Sequence, residues 1–402
     1  MQLVLFDDSS RKSLFPFTHT RAIADIRCGI LTMRERWEHT LNLRESSTLT
    51  EPYLQELSLP SIGHEFLLIN GSLFPSKALL EAIYSLSFGA ALYSDGKLLA
   101  LRIHQALPAF STLESFAKGL ESNSFSEEIN FLEKPWDIFS KNEDALKNDF
   151  EMLTDRRSSA PIPADVTVSG SEIFIEDEAT IQPGTIINAT TGPVYIGRGA
   201  EVMEGCLIRG PFALCEGATL KMGAKVYGGT TIGPECKVGG EISNTVFFGN
   251  SNKGHDGFLG NAVIGEWCNL GADTNASNLK NNYDSIKIWD EAAERSVKTE
   301  LTFCGLLMGD HSKCGINTMF NTGSVVGVSC NIWGGEFPEK FIPSFSWGGA
   351  AGMSTYQLPQ AMNTADRMMA RRGKSLSIAE RGVFKEVFEQ TVRARDLVFG
   401  GK

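Results

Sequence analysis

The chain has 402 residues, of which 21% are charged and 42% hydrophobic, and a formal net charge of −11. That length predicts two or three domains with ample core, and the negative balance argues against a general binder of nucleic acid or anionic membrane, while leaving room for a local basic phosphate pocket. The opening MQLVLFDD has neither the basic start nor the long apolar core of a secretory signal, no run of about 18 apolar residues follows, and the 8 cysteines form no C-x-x-C pair, so the expectation is a soluble cytoplasmic protein with free thiols.

Residues 1–140 read as an α/β domain. LVLFD and FLLIN are buried-strand patterns, while DIRCGILTMRERWEHTL and SKALLEAIYSL have helical spacing. A connecting helix is predicted over KPWDIFSKNEDALKNDFEML, residues 134–153, and the proline-bearing RRSSAPIPADV is a linker. Together 141–163 form the connection.

From 164 to 335 an aliphatic residue recurs every sixth position. Ile175, Ile181 and Ile187 begin it; Ile196, Val202, Ile208, Leu214, Leu220, Val226, Ile232 and Val238 continue it. Ile264 and Leu270 resume it, and Met308, Cys314, Phe320, Val326 and Ile332 complete it. A period of six is one short strand and one turn, and three such units close a triangular coil. Stacked coils make a parallel β-helix with strands about 4.8 Å apart and ends that need caps. Cys206, Cys236, Cys268 and Cys330 share the small-residue slot four positions after the aliphatic one, which marks them as small inward-facing hydrophobes rather than metal ligands. The extension 336–402 is helical at its end, with Ser377 and Glu380 spaced as a capping box and an apolar stripe of Val383, Phe384, Val387, Phe388 and Val392.

One stretch breaks the repeat: SNKGHDGFLGNAVIGEWCNLGADTNASN, residues 251–278. It resembles the hexapeptide-repeat acyltransferases, left-handed parallel β-helices, and more closely the acetyltransferase half of the bifunctional N-acetylglucosamine-1-phosphate uridyltransferase/glucosamine-1-phosphate acetyltransferase family. The resemblance implies acyl transfer from acetyl-CoA to an amino-sugar phosphate or nucleotide sugar, in a homotrimer with sites at the clefts between subunits. It makes His255 the general base. Imidazole suits that task, because a sugar amine must lose a proton before it attacks a thioester near neutral pH. It places substrate contacts at Asn269, Asn278, Asn282, Tyr283, Lys253 and Phe258. It places the acyl donor along Gly271, Ala272, Gly305 and Gly323, with backbone N–H groups at Gly271–Ala272 facing the oxyanion. Phe258 stands where the family has tyrosine, and Ser243 where it has a phosphate-contacting lysine, so Lys253, Lys237 and Lys221 are the candidate replacements. Read from the residues alone, His255 is equally a loop histidine that caps backbone groups, and His311 is structural or a neighbour of the coenzyme.

In the N-terminal domain PFTHTRAIADIRCG, FLLINGSLF and FLEKPW resemble segments of sugar-phosphate nucleotidyltransferases. The resemblance points to a site with Arg21, Asp25 and Lys134, in which Arg21, Arg27 and Lys134 would bind phosphate, and to Mg²⁺ only if that domain is active. The glycine-rich phosphate loop is replaced by FDDSSRKSLF, and the metal-holding aspartate by Ser72. Asp7, Asp8 and Asp25 are either metal ligands or solvated strand-end acids. Two other functions therefore stay beside the acyltransferase: a bifunctional enzyme that also forms a UDP- or dTDP-sugar from a sugar 1-phosphate and a nucleoside triphosphate, and a non-catalytic β-helix scaffold or sugar-nucleotide sensor.

Overall fold

The six-residue period folds as a parallel β-helix in the computed structural model, which describes residues 2–400. Every aliphatic position of the repeat, from Ile175 to Ile332, lies in one continuous buried core. The cause is geometric: each two- or three-residue strand points one side chain into the prism, and the turn after it needs small or left-handed residues at the corner. Gly199, Gly205, Gly217 and Gly223, all at positive φ, supply such corners.

The prism has three faces. One carries Ile186–Asn188, Leu207–Arg209, Lys225–Val226, the first part of Glu241–Phe247, the first part of Phe258–Ile264, Asn275–Ala276 and Met319–Phe320 in register. This open face leaves Ile186, Leu207, Tyr227 and Asn275 exposed to solvent. The second, the domain face, runs from Val194–Ile196 to Phe341–Ile342. Its outward Val246, Val263, Leu307 and Val325 pack with Leu14, Phe17, Ile23 and Ile138 of the N-terminal domain. The third face runs from Thr180–Ile181 to Asn331–Ile332 and Ser346–Gly349. The stack thus continues beyond residue 335, and the antiparallel hairpin Ser346–Gly349/Gly352–Thr355 closes this face.

The N-terminal domain holds a six-stranded mixed sheet. Gln2–Phe6 lies parallel to Ser47–Leu49 and Glu65–Asn70, and Lys97–His104 runs antiparallel beside the latter. The long helix predicted over DIRCGILTMRERWEHTL shrinks to Met33–Thr40. Gly29 has φ +89 and an added Cβ would meet Asp149 Oδ2 at 2.3 Å, so the chain must turn there. Thr32 and Glu35 then start the helix with a capping box. The connecting helix is two pieces, Asp137–Ser140 and Asn142–Thr154. Buried Asn142 bonds Gly29 N–H at 2.6 Å, and on the β-helix Gly229 O at 2.8 Å and Thr231 Oγ1 at 3.0 Å. At the C-terminus Ser377 and Glu380 form a capping box, and Val383, Phe384 and Val387 are buried against Trp267, Val328 and Phe345 of the β-helix.

Candidate active site

His255 stands on the edge between the third face and the open face, in the corner that joins Asn252–Lys253 to Phe258–Ile264. It is exposed, and among the described residues its ring has no hydrogen-bond partner. One coil further along, the same edge carries Gly271, Ala272 and Asp273, since Asp273 N–H bonds Asp256 O at 3.1 Å. The next coil puts Ile316 and Asn317 there, with Asn317 N–H on Ala272 O at 2.8 Å. Gly271 N–H is spent on Cys314 O at 3.1 Å, whereas Ala272 N–H has no partner among the described residues. Of the two donors expected for an oxyanion, only Ala272 is free.

Phe258 and Asn278 come together across the open face. A Cβ placed on Gly260 would touch Phe258 Cζ at 2.6 Å and Asn278 Nδ2 at 2.7 Å. Asn278 is fixed by Asn261 Oδ1 at 2.8 Å, and Phe258 N–H by Asn275 Oδ1 at 2.8 Å. Asn275 was missed in the sequence reading, although its place one coil above Phe258 follows from the repeat. Asn269 lies on the third face, between Asn252 and Lys313. The His255 edge is therefore flanked by Asn269 on one side and by the Phe258–Asn278 strip on the other.

Other expected contacts lie elsewhere. Asn282 and Tyr283 are exposed in the insertion 277–304, which leaves the far edge of the open face. Asn282 there bonds Asp284, 2.6 Å away. Gly305 and Gly323 are buried on that same far edge. Ile286 of the insertion already fills the space above Gly323, 2.7 Å from an added Cβ. They do not extend the Gly271–Ala272 edge, because a whole face separates them.

Lys253 departs furthest from its expected role. It takes the inward slot one coil after Val238, so its stem lies in the prism. It is 1% exposed, and its ammonium donates to Gly239 O at 3.2 Å, His255 O at 2.8 Å and Asp256 O at 3.2 Å. Burial pushes it down to about 8. An ammonium closed in this way cannot meet a substrate phosphate. Lys221 and Lys237 belong to coils before the His255 corner.

His311 is buried between Trp267 and Phe384, with ring centroids 6.3 and 5.0 Å away. Burial, then nearby Lys313, pushes its imidazole down to about 3. It is a packed neutral ring rather than a base near pH 7.

The N-terminal domain has a cavity of about 770 Å³ at the carboxyl end of Gln2–Phe6, where open α/β sheets bind ligands. Arg21 does not line it. Arg21 crosses to the β-helix, forming a buried ion pair with Asp310 and standing 3.4 Å from Glu266. Asp25 is held by Arg34 at 2.6 and 3.2 Å. Lys134 is half-buried beside the rim residue Glu133, outside the cavity lining. The lining carries six carboxylates (Asp7, Asp8, Glu51, Asp95, Glu114 and Glu133) against four cations (Arg11, Lys12, Lys97 and Lys118). That excess repels a triphosphate.

The acids do not fit Mg²⁺ either. Asp7 is taken by Arg11 at 2.9 Å and Thr50 at 2.5 Å. Lys97 Nζ sits 3.3 Å from Asp8 and 2.7 Å from Glu133, where a cation between those carboxylates would go. Burial raises Asp8, but Lys97, Ser10 and Asn70 outweigh it and hold its carboxyl below the usual range. Among the described residues no three His, Cys, Asp or Glu side chains gather as a metal site, and no helix is long and apolar enough to cross a membrane.

Residues 3–158 match the family model of sugar nucleotidyl transferases. Among curated proteins, the bifunctional protein GlmU of Methanococcus aeolicus is 30% identical over 220 residues, covering 55% of this chain and 46% of that protein. GlmU of Trichormus variabilis is 25% identical over 222 residues, covering 50% and 45%. The chain thus spans about half the length of the curated relatives it matches. Among solved structures, the UDP-N-acetylglucosamine acyltransferase from Campylobacter jejuni aligns with TM-score 0.34 and 16% identity, over 60% of this chain and 85% of that one. Over about half of its length the chain is similar to the GlmU proteins.

Proposed function

We propose that this GlmU-like chain transfers an acyl group, acetyl first, from a coenzyme A thioester to the amine of an amino-sugar phosphate or nucleotide sugar. The observation that carries the reading is the free imidazole of His255 one coil below the unpaired Ala272 N–H, on one edge of the prism. His255 takes a proton from the amine as nitrogen attacks the thioester carbonyl. The negative charge gathers on the carbonyl oxygen, toward the Ala272 N–H. The C–S bond then breaks, the amide forms, and the proton leaves with the coenzyme A thiolate. Phe258 and Asn278 border the acceptor side.

On a single chain this edge is open. Exposed Ile316 and Trp333 follow His255 along it, and the open face beside it bears exposed Leu207 and Tyr227. Three copies packed through this face and edge bury those side chains and close a cleft over each His255. In the N-terminal domain, the family match supports a second reading, nucleotidyl transfer, but the acidic lining and the Lys97 bridge weigh against it.

The test is thiol release from acetyl-CoA with glucosamine 1-phosphate and related amino sugars as acceptors. Acceptor-dependent release should fall at least about a hundredfold in His255→Ala. Because His255 is exposed, the variant should fold like the wild type. Equal activity in the variant sinks the base assignment. Mg²⁺-dependent pyrophosphate release from a nucleoside triphosphate and a sugar 1-phosphate would instead favour the second reading. Light scattering in solution reads the mass of the trimer directly.

A further inference from the structure

The corner before His255 is short. The third face joins the open face through four residues after Leu220 (221–224), after Lys253 (254–257) and after Leu270 (271–274). After Val238 it does so through two, Gly239 and Gly240. In the regular coils each corner is tied to the previous one by a backbone bond, as Gly223 N–H to Glu204 O at 2.9 Å and Asp273 N–H to Asp256 O at 3.1 Å. The abbreviated corner lies close under the next one, with an added Gly240 Cβ 2.9 Å from His255 O, but among the described residues it takes no backbone N–H from His255 or Asp256. Lys253 supplies the tie instead. Its slot holds Val238 one coil earlier and Leu270 one coil later, yet here a lysine threads the core and joins Gly239 O to His255 O and Asp256 O. A Cβ on Gly240 would come within 2.9 Å of that ammonium, so the pair of glycines and the lysine fit each other.

We infer that Lys253 is the positioning residue for the catalytic edge: its buried ammonium replaces the backbone tie that the shortened corner does not make and fixes the backbone that aims His255. The inference rests on the reading of His255 as the base. Burial in an otherwise apolar column is unfavourable to a cation, and stem and head would be better served by an aliphatic residue if core packing were the only task. Three carbonyl acceptors, two of them from His255 and its neighbour, show what the charge is for.

Lys253→Met keeps length and loses the donor. It should lower kcat for acyl transfer at least tenfold, with KM for acetyl-CoA within twofold. The His255 Cε1–H signal in the NMR spectrum of the full chain, assigned through His255→Ala, should shift and broaden. If Lys253→Met is too unstable to assay, a second variant decides. Lys253→Val with Gly-Ser inserted between Gly239 and Gly240 restores a four-residue corner and should restore folding and at least a third of kcat. A kcat within twofold of wild type in folded Lys253→Met, or no rescue by the lengthened corner, overturns the inference. If the wild type releases no thiol with any acceptor, the acyl-transfer reading has failed separately. The NMR signal then still judges Lys253, and an unchanged His255 resonance in Lys253→Met rejects it.

Discussion

The two halves of the chain keep their polar chemistry in opposite places. The N-terminal domain has a roomy cavity at its strand ends, but of the acids facing it Asp7, Asp8 and Glu133 are already paired with Arg11, Thr50, Lys97 or Asn70. The β-helix offers His255 on a bare edge, with its imidazole unengaged and an unpaired N–H one coil away. Volume alone does not make an anion site when acids outnumber cations around it and Arg11 and Lys97 are already taken. A bare edge becomes a site once a second surface closes over a group left unsatisfied.

Several substitutions break or sharpen that contrast. The His255→Ala loss, a hundredfold or more, is the largest. Next comes Arg21→Ala at the junction of the halves, which leaves Asp310 buried without its cation. It should cost about 3 kcal/mol of stability, read by urea unfolding. A loss well under 1 kcal/mol would mean that apolar packing alone docks the domains. Acid should act through His311. Its folded imidazole titrates near 3 against an ordinary 6.5, so between those values the unfolded chain binds the extra proton and stability falls as pH drops. Lys313, Asp310, Arg21 and Asp366 all face this ring. The slope approaches about 1.4 kcal/mol per pH unit. His311→Phe should flatten it, as thermal melts from pH 7 to 4 would show; an unchanged slope assigns the acid lability to another group. The smallest effect is expected in the cavity: Lys12→Ala with Lys118→Ala should leave acyl transfer within twofold. A large drop would tie the two halves into one reaction.

The solenoid was legible because its signal is local. Each coil repeats the same inward slot, and nothing distant is needed to see Ile196 through Val238 in step. The gap in that reading, from Val238 to Ile264, hid the lysine. The shortened Gly239–Gly240 corner shifts the phase, and only strand pairing shows that Lys253 takes the next inward place. The candidate base and the Phe258–Asn278 strip came from a contiguous motif, so they could be named from sequence. Gly305 and Gly323 could not be placed, because a 28-residue insertion (277–304) intervenes and folds back over Gly323. In the N-terminal domain, Arg21 looked like a phosphate ligand; its partner Asp310 lies 289 residues away, beyond any local pattern.

The cysteines carry a practical consequence. All eight are free and buried, and burial pushes Cys28 and Cys236 up to about 12. Thiolates are what react with disulfide dyes. A dye added to the folded chain therefore leaves its own sulfurs dark, so coenzyme A thiol released by the proposed transfer can be followed continuously. When the chain opens, eight sulfhydryls surface together, and the same reagent becomes a stopwatch for unfolding.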